Sequence, residues 1–264
     1  MRRSIFLDID GTILDGSRGM PEISDKTKYA VRKLKENGDY DFIASGRCKG
    51  LLSKQIWDLE PNGYVLCNGA YGEFEGREVY SYCFDEDVLQ RIIEVADRYD
   101  GFYIFETLKK MYVKSLEGEV FNSFIRSWNI TKDGFLEGRD DDPVQIAMIG
   151  FRNYDDFRNI EDDLKEHADV VPHNGFPSFD VNVKNINKGT GVIRISEYLD
   201  VDRENTYCFG DGFNDLEMLK EVGHPDTMGI CDKSLDVYCF EKTADVLDEG
   251  VYEYLVKHKL IKAL

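Results

Sequence analysis

Two carboxylates stand two residues apart near the amino terminus, in the segment Asp8-Ile9-Asp10-Gly11-Thr12. An apolar run that begins at Ser4 leads into them, and residues two apart on a strand lie on the same face. Two close carboxylates repel each other, so a proton or a cation must stabilise the pair. A divalent cation would keep one carboxylate ionised as a nucleophile, while the other carried a proton for a leaving oxygen. The segment therefore indicates phosphoryl transfer, with a turn whose acids only cap the next segment as the alternative.

A second acidic turn follows the predicted strand Tyr207-Cys208-Phe209 and reads Gly210-Asp211-Gly212-Phe213-Asn214-Asp215. Its carboxylate and amide oxygens are hard ligands, which suit magnesium. Because the spacing is not that of an EF-hand, calcium is a weaker interpretation. A purely structural turn remains the alternative.

Two further segments could hold a phosphate. The segment Ala44-Ser45-Gly46-Arg47 follows a predicted strand, and a hydroxyl beside backbone N–H groups at a helix start can bind phosphate. The residues Ser and Gly are also common in turns that bind no ligand. Lys188, in Asn187-Lys188-Gly189, stands in the first turn of a predicted helix, where its charge opposes the helix macrodipole. We therefore expect its ammonium to be needed elsewhere, with an exposed, solubilising lysine as the alternative.

Alternating strands and helices must position these segments. Apolar runs predict strands at residues 4–9, 42–45 and 63–67. One helical face is predicted to comprise Ile23, Thr27, Ala30, Val31 and Leu34. Ser24 is the predicted N-cap of this helix and Gly38 its predicted stop. This alternation predicts an α/β fold: a Rossmann-like parallel-sheet core with helices on both faces. In such sheets right-handed crossovers bring the carboxyl ends of the strands to one edge, where ligands bind.

Residues 83–186 have a different character. Apolar periodicity there predicts helices at 88–99, 117–126 and 154–167, and strands at 101–106, 111–115, 144–150 and 178–183, with an irregular acidic loop at 127–142. Strand–helix alternation returns from about residue 187. We therefore predict a catalytic core of residues 1–82 and 187–264, interrupted by an inserted α+β cap of residues 83–186 that determines substrate specificity.

The chain has 264 residues and a formal net charge of −18. A surface this acidic repels the phosphate backbone of nucleic acids, so we expect no nucleic-acid partner. It repels small phosphate esters as well, so an anionic substrate would need a local cation or a bound metal. Acidity that serves solubility alone is the simpler interpretation of the same charge.

Six cysteines stand at positions 48, 67, 83, 208, 231 and 239, and no pair has the C-x-x-C spacing of a zinc site. We expect reduced, structural thiols, which are typical of cytoplasmic proteins. The sequence contains neither the apolar region of a signal peptide nor an apolar run of about 18 residues. We therefore expect a soluble, cytoplasmic protein that does not bind membranes, and no signal indicates an obligate protein partner.

Taken together, five motifs resemble those of the haloacid dehalogenase-like (HAD) hydrolases, in the Cof-type branch with a large α/β cap. They occur in the order of that family, span most of the chain and leave room for the cap before Asn187. The motifs are Asp8-Ile9-Asp10-Gly11-Thr12, Ala44-Ser45-Gly46-Arg47, Asn68-Gly69-Ala70, Asn187-Lys188-Gly189 and Phe209-Gly210-Asp211-Gly212-Phe213-Asn214-Asp215.

The resemblance implies a role for each matching residue. Asp8 would attack phosphorus and become an aspartyl phosphate. Asp10 would protonate the leaving oxygen and then activate the water that hydrolyses the intermediate. The phosphoryl group would be held by Ser45, Gly46, Lys188 and Asn214. The ligands of Mg²⁺ would be Asp8, the backbone carbonyl of Asp10 and Asp211, with Asp215 in support directly or through water. The residues near the substrate entrance would be Arg47 and Asn68.

Two segments depart from the family pattern. After Gly223-His224 such proteins usually continue to Met-Gly-Asn-Ala, whereas this chain continues from Pro225 to Cys231 with Met228-Gly229-Ile230-Cys231 at the end. This difference concerns the contacts of a late loop rather than the chemistry. The segment 16–21 is also unusual and could shape access to the first motif.

The cap offers one candidate for substrate binding. Asp180 and Asn182 lie on the same face of a predicted strand, because side chains alternate along a strand. A contact from Asp180 to a sugar is our hypothesis. The histidines, in contrast, are scattered along the chain, and the scheme leaves no catalytic role for them.

The sequence thus predicts a magnesium-dependent phosphatase of small phosphorylated metabolites, with sugar phosphates as a candidate class. One alternative is a phosphoryl transferase similar to phosphomannomutase, which would share the aspartyl phosphate but produce an isomeric phosphate. Another is a regulator that binds phosphorylated metabolites without turnover. Such a regulator should lack a catalytic residue, whereas every expected residue is present here.

Overall fold

In the computed structural model, which describes residues 2–128, 130–173 and 175–264, the strands form an eight-stranded and a six-stranded sheet. The strands are β1 Ser4–Leu7, β2 Tyr40–Ala44, β3 Gly63–Leu66, β4 Tyr71–Phe74, β5 Arg77–Ser81, β6 Phe102–Glu106, β7 Met111–Val113, β8 Phe135–Glu137, β9 Ile146–Gly150, β10 Ala168–Pro172, β11 Ser178–Val183, β12 Thr206–Gly210, β13 His224–Thr227 and β14 Glu241–Lys242. The α-helices are α1 Asp25–Glu36, α2 Lys54–Asp58, α3 Glu86–Arg98, α4 Glu119–Ser127, α5 Phe157–Leu164, α6 Lys188–Leu199, α7 Leu216–Glu221 and α8 Gly250–Lys257.

The larger sheet confirms the predicted α/β fold with a parallel-sheet core. Its strand order is β14-β13-β12-β1-β2-β3-β4-β5, and every pair from β14 to β3 is parallel. Phe6, Phe42 and Val65 lie on adjacent strands and belong to one buried cluster with residues of α6 and α7. Burial of this apolar area is the main favourable contribution to the stability of the unit.

The last two strands of the sheet, β4 and the edge strand β5, are absent from the sequence prediction. β4 pairs antiparallel with β3, and it is joined to β5 through Glu75 and Gly76, both with positive φ. Glu75 is an unusual residue for that conformation, so no turn signal marked the hairpin. Gly63 accommodates the pairing, because a Cβ there would lie 2.1 Å from the carbonyl oxygen of Glu73.

Helix α1 forms as its sequence signals predict. The Ser24 hydroxyl accepts a hydrogen bond from the backbone N–H of Thr27 at 3.0 Å, which satisfies one of the free donors at the helix start. The buried residues of the helix belong to the predicted face, and Gly38 follows its end with φ +81°. Glycine adopts this left-handed conformation without the steric cost of a side chain.

The smaller sheet has the order β10-β11-β9-β6-β7-β8 and is antiparallel except for the β7–β8 pair. Residues of α3 and α5 join one face in a buried cluster that includes Phe105 and Ile149. Residues of α4 join the other face through Phe121 and Phe124, which cluster with Phe102. Each face of this sheet is therefore packed against helices.

Two elements correct the sequence prediction in this region. β8 lies within the loop predicted at 127–142, of which Asn129 is outside the described residues. It is a three-residue strand with an exposed Leu136, so it shows no alternating pattern. β10 follows α5, which ends at Leu164 rather than at residue 167. Most of β10 is only half-buried at the sheet edge, which weakens its apolar signal.

The chain folds into two compact units. The first comprises the residues up to Arg47, Leu52–Tyr80 and Asn187–Leu264. The second comprises Ser81–Ile186 and the short segment Cys48–Leu51, where the N–H of Gly50 donates to the Leu108 carbonyl at 2.7 Å. The role of residues 83–186 as a cap stays a prediction. Within the described part of the chain, every helix is too short or too polar to span a bilayer.

Candidate active site

Four neighbouring strands of the first unit carry the predicted motifs at their carboxyl ends. Asp8 follows β1, Ser45 follows β2, Asn68 follows β3 and Asp211 follows β12. The parallel order β12-β1-β2-β3 places these ends along one edge of the sheet. Asp8 is held there by its own N–H, which donates to the carbonyl of Phe209 at 3.0 Å.

Lys188 lies at the centre of the group. Its Nζ is 2.6 Å from Oδ1 of Asp8 and 2.6 Å from Oδ1 of Asp215. Lys188 and Asp215 are both 0% exposed, so the alternative of a solubilising surface lysine is wrong. Asn187 caps helix α6 by accepting from the N–H of Thr190 at 3.0 Å, which fixes the first turn that carries Lys188. The two carboxylates compensate the charge that this position of a helix disfavours.

Asp215 is fixed from two sides. Its Oδ2 accepts the backbone N–H groups of Asp211 and Gly212, each at 3.0 Å, while Oδ1 faces Lys188. Gly210 leaves the space for this carboxylate, because a Cβ there would lie 2.4 Å from the Asp215 Cγ. Asp215 therefore links the acidic turn to the lysine.

Asp211 packs against the first motif. A Cβ on Gly11 would lie 2.3 Å from Oδ2 of Asp211, and Gly11 has a φ of +81°. Only glycine meets both conditions, since it lacks a Cβ and adopts positive φ readily. The Thr12 hydroxyl donates to Oδ1 of Asp211 over a long 3.5 Å. The turn Asp10-Gly11-Thr12 is thus shaped to receive the Asp211 carboxylate.

Three carboxylates meet at this point. Asp8, Asp211 and Asp215 each offer an oxygen, and these oxygens lie within 4.8 Å of one another. Burial raises the pKa of Asp8 well above its usual range; Lys188 opposes this rise, and Asp215 and Asp211 add to it. Burial, followed by the charge of Asp215, raises the pKa of Asp211 to about 7. Acids in this state need a further cation to remain ionised at neutral pH.

This donor set fits magnesium, which prefers carboxylate and carbonyl oxygens. Burial alone would lower the pKa of Lys188, but Asp215 and Asp8 outweigh that effect and raise it, so the ammonium stays charged. One ammonium opposite three carboxylates leaves an excess of negative charge when all three are ionised. A divalent cation would neutralise that excess.

The side chain of Asp10 is not part of this carboxylate group. It pairs with Arg47, whose Nε donates to Oδ2 at 3.0 Å and whose Nη2 donates to Oδ1 at 2.6 Å. The Asp10 side chain is 59% exposed, in contrast to the buried Asp8. The two carboxylates of the first motif therefore lie in different environments, one enclosed with a lysine and one open to solvent beside an arginine.

The predicted phosphate-binding residues form a second group at the same edge. Ser45 is buried, and its Oγ accepts from the backbone N–H of Arg47 at 3.2 Å. Asn214 Nδ2 donates to Oδ1 of Asn68 at 3.2 Å. Gly46 lies beside both amides, because its Cβ position is 2.8 Å from Oδ1 of Asn68 and 3.6 Å from Nδ2 of Asn214. Ser45, Gly46, Asn68 and Asn214 are thus brought together.

Asp180 belongs to the second unit, where its Oδ1 lies 3.0 Å from Nε2 of His173. The Nδ1 of that imidazole lies 2.8 Å from the Ser178 hydroxyl, which itself donates to the carbonyl of Phe176. Burial, followed by the charge of Asp180, raises the pKa of Glu106 to about 8. Sequence reasoning missed His173 and Glu106. His173 could have been identified from a prediction that β10 pairs with β11, since it directly follows β10. The sequence prediction lacked β10.

The two unusual segments also belong to the first unit. In the late loop the N–H of Asp232 donates to the carbonyl of Asp211 at 2.7 Å, and the N–H of Met228 donates to Gly210 at 3.0 Å. In the segment 16–21, Arg18 makes two hydrogen bonds of 3.0 Å to Asp245. The late loop therefore supports the backbone of the acidic turn, although its sequence departs from the family pattern.

A buried carboxylate beside a lysine, an exposed carboxylate beside an arginine, and amide and hydroxyl groups on a glycine-lined edge suit phosphoryl transfer. The first could attack phosphorus, the second could carry a proton, and the others could hold phosphoryl oxygens. The charge at such a transition state is stabilised mainly by positioned cations and donors.

Comparisons with known proteins point to the same chemistry. The family model described as haloacid dehalogenase-like hydrolase matches residues 5–255. The protein named "Putative phosphatase YkrA" of Bacillus subtilis (strain 168) is 31% identical, with 96% of each chain covered. The 5-amino-6-(5-phospho-D-ribitylamino)uracil phosphatase YitU of the same organism is 26% identical over 96% of each chain. A crystal structure from Geobacillus kaustophilus HTA426 superposes with a TM-score of 0.87 at 26% identity, covering 99% of this chain and 100% of the other.

Proposed function

The chain belongs to the haloacid dehalogenase-like hydrolases, of the Cof type, and on that premise we propose that it is a magnesium-dependent phosphatase of small phosphorylated metabolites. The observation that carries this proposal is the buried pair of Asp8 and Lys188, whose Nζ and Oδ1 are 2.6 Å apart beside two further carboxylates. The proposed nucleophile, a buried ammonium and carboxylate oxygens that suit a divalent metal lie together there.

Asp8 is the nucleophile in the proposed reaction. Lys188 occupies Oδ1 and leaves Oδ2 to attack phosphorus, which forms an aspartyl phosphate as the bond from phosphorus to the leaving oxygen breaks. Asp10 donates its proton to that leaving oxygen. In the second step Asp10 takes a proton from water, whose oxygen attacks phosphorus and releases inorganic phosphate and the Asp8 carboxylate.

The residues that would hold magnesium are Asp8, the backbone carbonyl of Asp10, Asp211 and Asp215. When bound, the ion would supply positive charge to the transferring phosphoryl group and keep the Asp8 carboxylate ionised. Asp215 already accepts bonds from Lys188, Asp211 and Gly212, so we assign it mainly to orienting the other groups. We assign the phosphoryl group to Ser45, Gly46, Lys188 and Asn214.

Arg47 and Asn68 are the proposed substrate-binding residues of the first unit. Arg47 shares its guanidinium with both oxygens of Asp10 and remains partly exposed, so it can also meet an anionic substrate. A guanidinium presents several donors at once, which suits phosphate oxygens. Arg47 would then orient the proton carrier and the phosphate together.

For the second unit we propose that Asp180 recognises the leaving group, with sugar phosphates as the candidate class. Its carboxylate is held by His173 at 3.0 Å, which fixes its direction. A carboxylate accepts hydrogen bonds from hydroxyl groups and repels a second anion. The name of the relative YitU specifies a substrate with a phosphorylated ribityl chain, which is likewise rich in hydroxyl groups.

A panel of phosphorylated metabolites tests the proposed function. We expect free phosphate from a generic aryl phosphate and from at least one sugar phosphate, and we expect chelation with EDTA to abolish its release. Products are identified as well, because an isomeric phosphate with little free phosphate would indicate a mutase. Full activity without a divalent metal, or no turnover of any phosphate ester, would refute the proposal.

A further inference from the structure

The turn that follows β3 is held in an unusual conformation. Cys67, Asn68 and Gly69 have successive φ values of +54°, +50° and +93°. The left-handed region costs an L-residue such as Cys67 about 1–2 kcal/mol, whereas asparagine adopts it more readily. Such strain persists where the surrounding structure demands it, and it is concentrated at functional sites.

Backbone hydrogen bonds attach this turn to the segment with the Ser-Gly-Arg motif. The N–H of Cys67 donates to the carbonyl of Arg47 at 3.1 Å, and the N–H of Asn68 donates to the carbonyl of Ser45 at 3.2 Å. On its other side, Gly69 lies so close to Asn187 that a Cβ would be 1.9 Å from the Asn187 carbonyl oxygen. The turn therefore sits between the Ser-Gly-Arg segment and the helix start that carries Lys188.

The conformation of the turn places the Asn68 side chain against Asn214. Asn68 is 4% exposed, and its Oδ1 accepts from Nδ2 of Asn214 at 3.2 Å. Gly46 gives the amide its space, since a Cβ there would lie 2.8 Å from Oδ1 of Asn68. On the opposite end of the Asn214 amide, Oδ1 lies 2.8 Å from the Cβ position of Gly212.

We propose that Asn68 is a positioning residue that sets the direction of the Asn214 amide. The terminal torsion of asparagine is soft and nearly two-fold, so an unsupported amide would turn over easily. With one N–H committed to Asn68, the second N–H of Asn214 is directed to the phosphoryl oxygens. The inference rests on the proposed function only in assigning Asn214 to the phosphoryl group.

The test uses Asn68→Gly, Asn214→Ala and the double variant of the full chain. Glycine adopts positive φ readily, so Asn68→Gly keeps the turn and removes only the side chain. We measure the inhibition constant of inorganic phosphate in the presence of Mg²⁺, kcat and KM for an aryl phosphate, and the melting temperature. Cys67→Gly, at the neighbouring position with the same sign of φ, is the matched control.

We expect Asn68→Gly and Asn214→Ala each to raise the phosphate inhibition constant about tenfold, the effect of one hydrogen bond to a charged group. Inorganic phosphate has no leaving group, so a contact of Asn68 with the rest of a substrate does not enter this measurement. The double variant should therefore match Asn214→Ala, because Asn68 affects phosphate through that amide. The melting temperature of Asn68→Gly should fall by only a few degrees, because relief of the positive φ partly offsets the lost hydrogen bond. Cys67→Gly should bind phosphate as the parent does.

Two results would overturn the inference: an unchanged inhibition constant in Asn68→Gly, or effects that multiply in the double variant. If the parent protein releases no phosphate from any ester, the proposed function fails. The coupling of Asn68 to Asn214 can still be measured in that case by calorimetric binding of inorganic phosphate.

Discussion

The Nζ of Lys188 lies 2.6 Å from Oδ1 of Asp8, and the two residues are separated by 180 positions in the chain. Asp8 reaches the contact from the end of β1, and Lys188 reaches it from the first turn of α6. Both residues are buried, so the attraction acts in a medium of low dielectric constant. The pair explains why a lysine stands where the helix macrodipole disfavours one.

Replacing Lys188 should lower both the free energy of unfolding and the activity. Lys188→Met leaves Asp8 and Asp215 buried without their cation, and breaking a buried ion pair costs about 3–5 kcal/mol. Urea unfolding in EDTA should show that loss, and phosphate release should become undetectable.

Lys220→Met is the control, because Lys220 pairs with Glu217 at 2.7 Å while partly exposed. Its loss should cost less than about 1 kcal/mol. Equal stability of the two variants would contradict this account.

Asp41, which lies on β2, should make the stability of the protein depend on pH. Burial raises its pKa to about 7, with Lys35 opposing the rise. In the unfolded chain the carboxyl titrates near pH 3.9, so between about pH 4 and 7 the folded state binds more protons. The contribution of Asp41 to stability is therefore lost as pH rises through that window, and it stays lost above pH 7.

Asp41→Asn should consequently be more stable than the parent at pH 8, and the difference should exceed that at pH 5 by about 2–3 kcal/mol. Urea unfolding at the two pH values measures it. Asp25→Asn is the control, because the Asp25 side chain is 99% exposed. A difference between Asp41→Asn and the parent that does not grow from pH 5 to pH 8 would refute the assignment.

Local signals sufficed for much of the fold. The N-cap Ser24 and the glycine after α1 predicted that helix to within a residue, and the run Ser178–Val183 forms β11 as predicted. Each of these elements is specified by its own residues. The parallel core also followed from the sequence, because alternating strands and helices admit few other arrangements.

The rest depends on contacts that are distant along the chain. No local pattern showed that Asp215 would bind Lys188 while its second oxygen accepts two backbone N–H groups. The left-handed turn at Cys67 and Asn68 depends on its bonds to Ser45 and Arg47, which lie in the segment that follows the neighbouring strand β2. His173 meets Asp180 only because β10 pairs with β11, and the half-buried β10 has a weak apolar pattern.

Arg47 should matter for activity and little for folding. Its pair with Asp10 is bidentate but partly exposed, and exposed pairs stabilise a protein by less than about 1 kcal/mol. Arg47→Ala should therefore leave the urea midpoint nearly unchanged and lower kcat/KM by about tenfold or more, since a charge-assisted contact to substrate is lost. Arg139→Ala, which breaks a 2.6 Å pair with Glu86 in the second unit, should leave the turnover of an aryl phosphate unchanged. Equal kinetics for both variants would exclude a role for Arg47.

Asp180 should affect the choice of substrate rather than the chemical step. Asp180→Ala should lower kcat/KM about tenfold for the preferred polyhydroxylated phosphate, because hydrogen bonds to its carboxylate are lost. The rate with a generic aryl phosphate should stay close to that of the parent. His173→Gln should have a smaller effect in the same direction, since the carboxylate remains but loses its 3.0 Å partner. An unaltered order of preference across the metabolite panel would exclude this role.

The most direct test of the central claim is the rate of phosphate release by Asp8→Asn with magnesium and an aryl phosphate. The amide has nearly the shape of the carboxylate, so the variant should fold, as circular dichroism would confirm. The proposed mechanism requires the carboxylate as nucleophile, and we predict that release falls to the level of the uncatalysed reaction. Full activity in Asp8→Asn would contradict the assignment of Asp8, and with it the aspartyl phosphate.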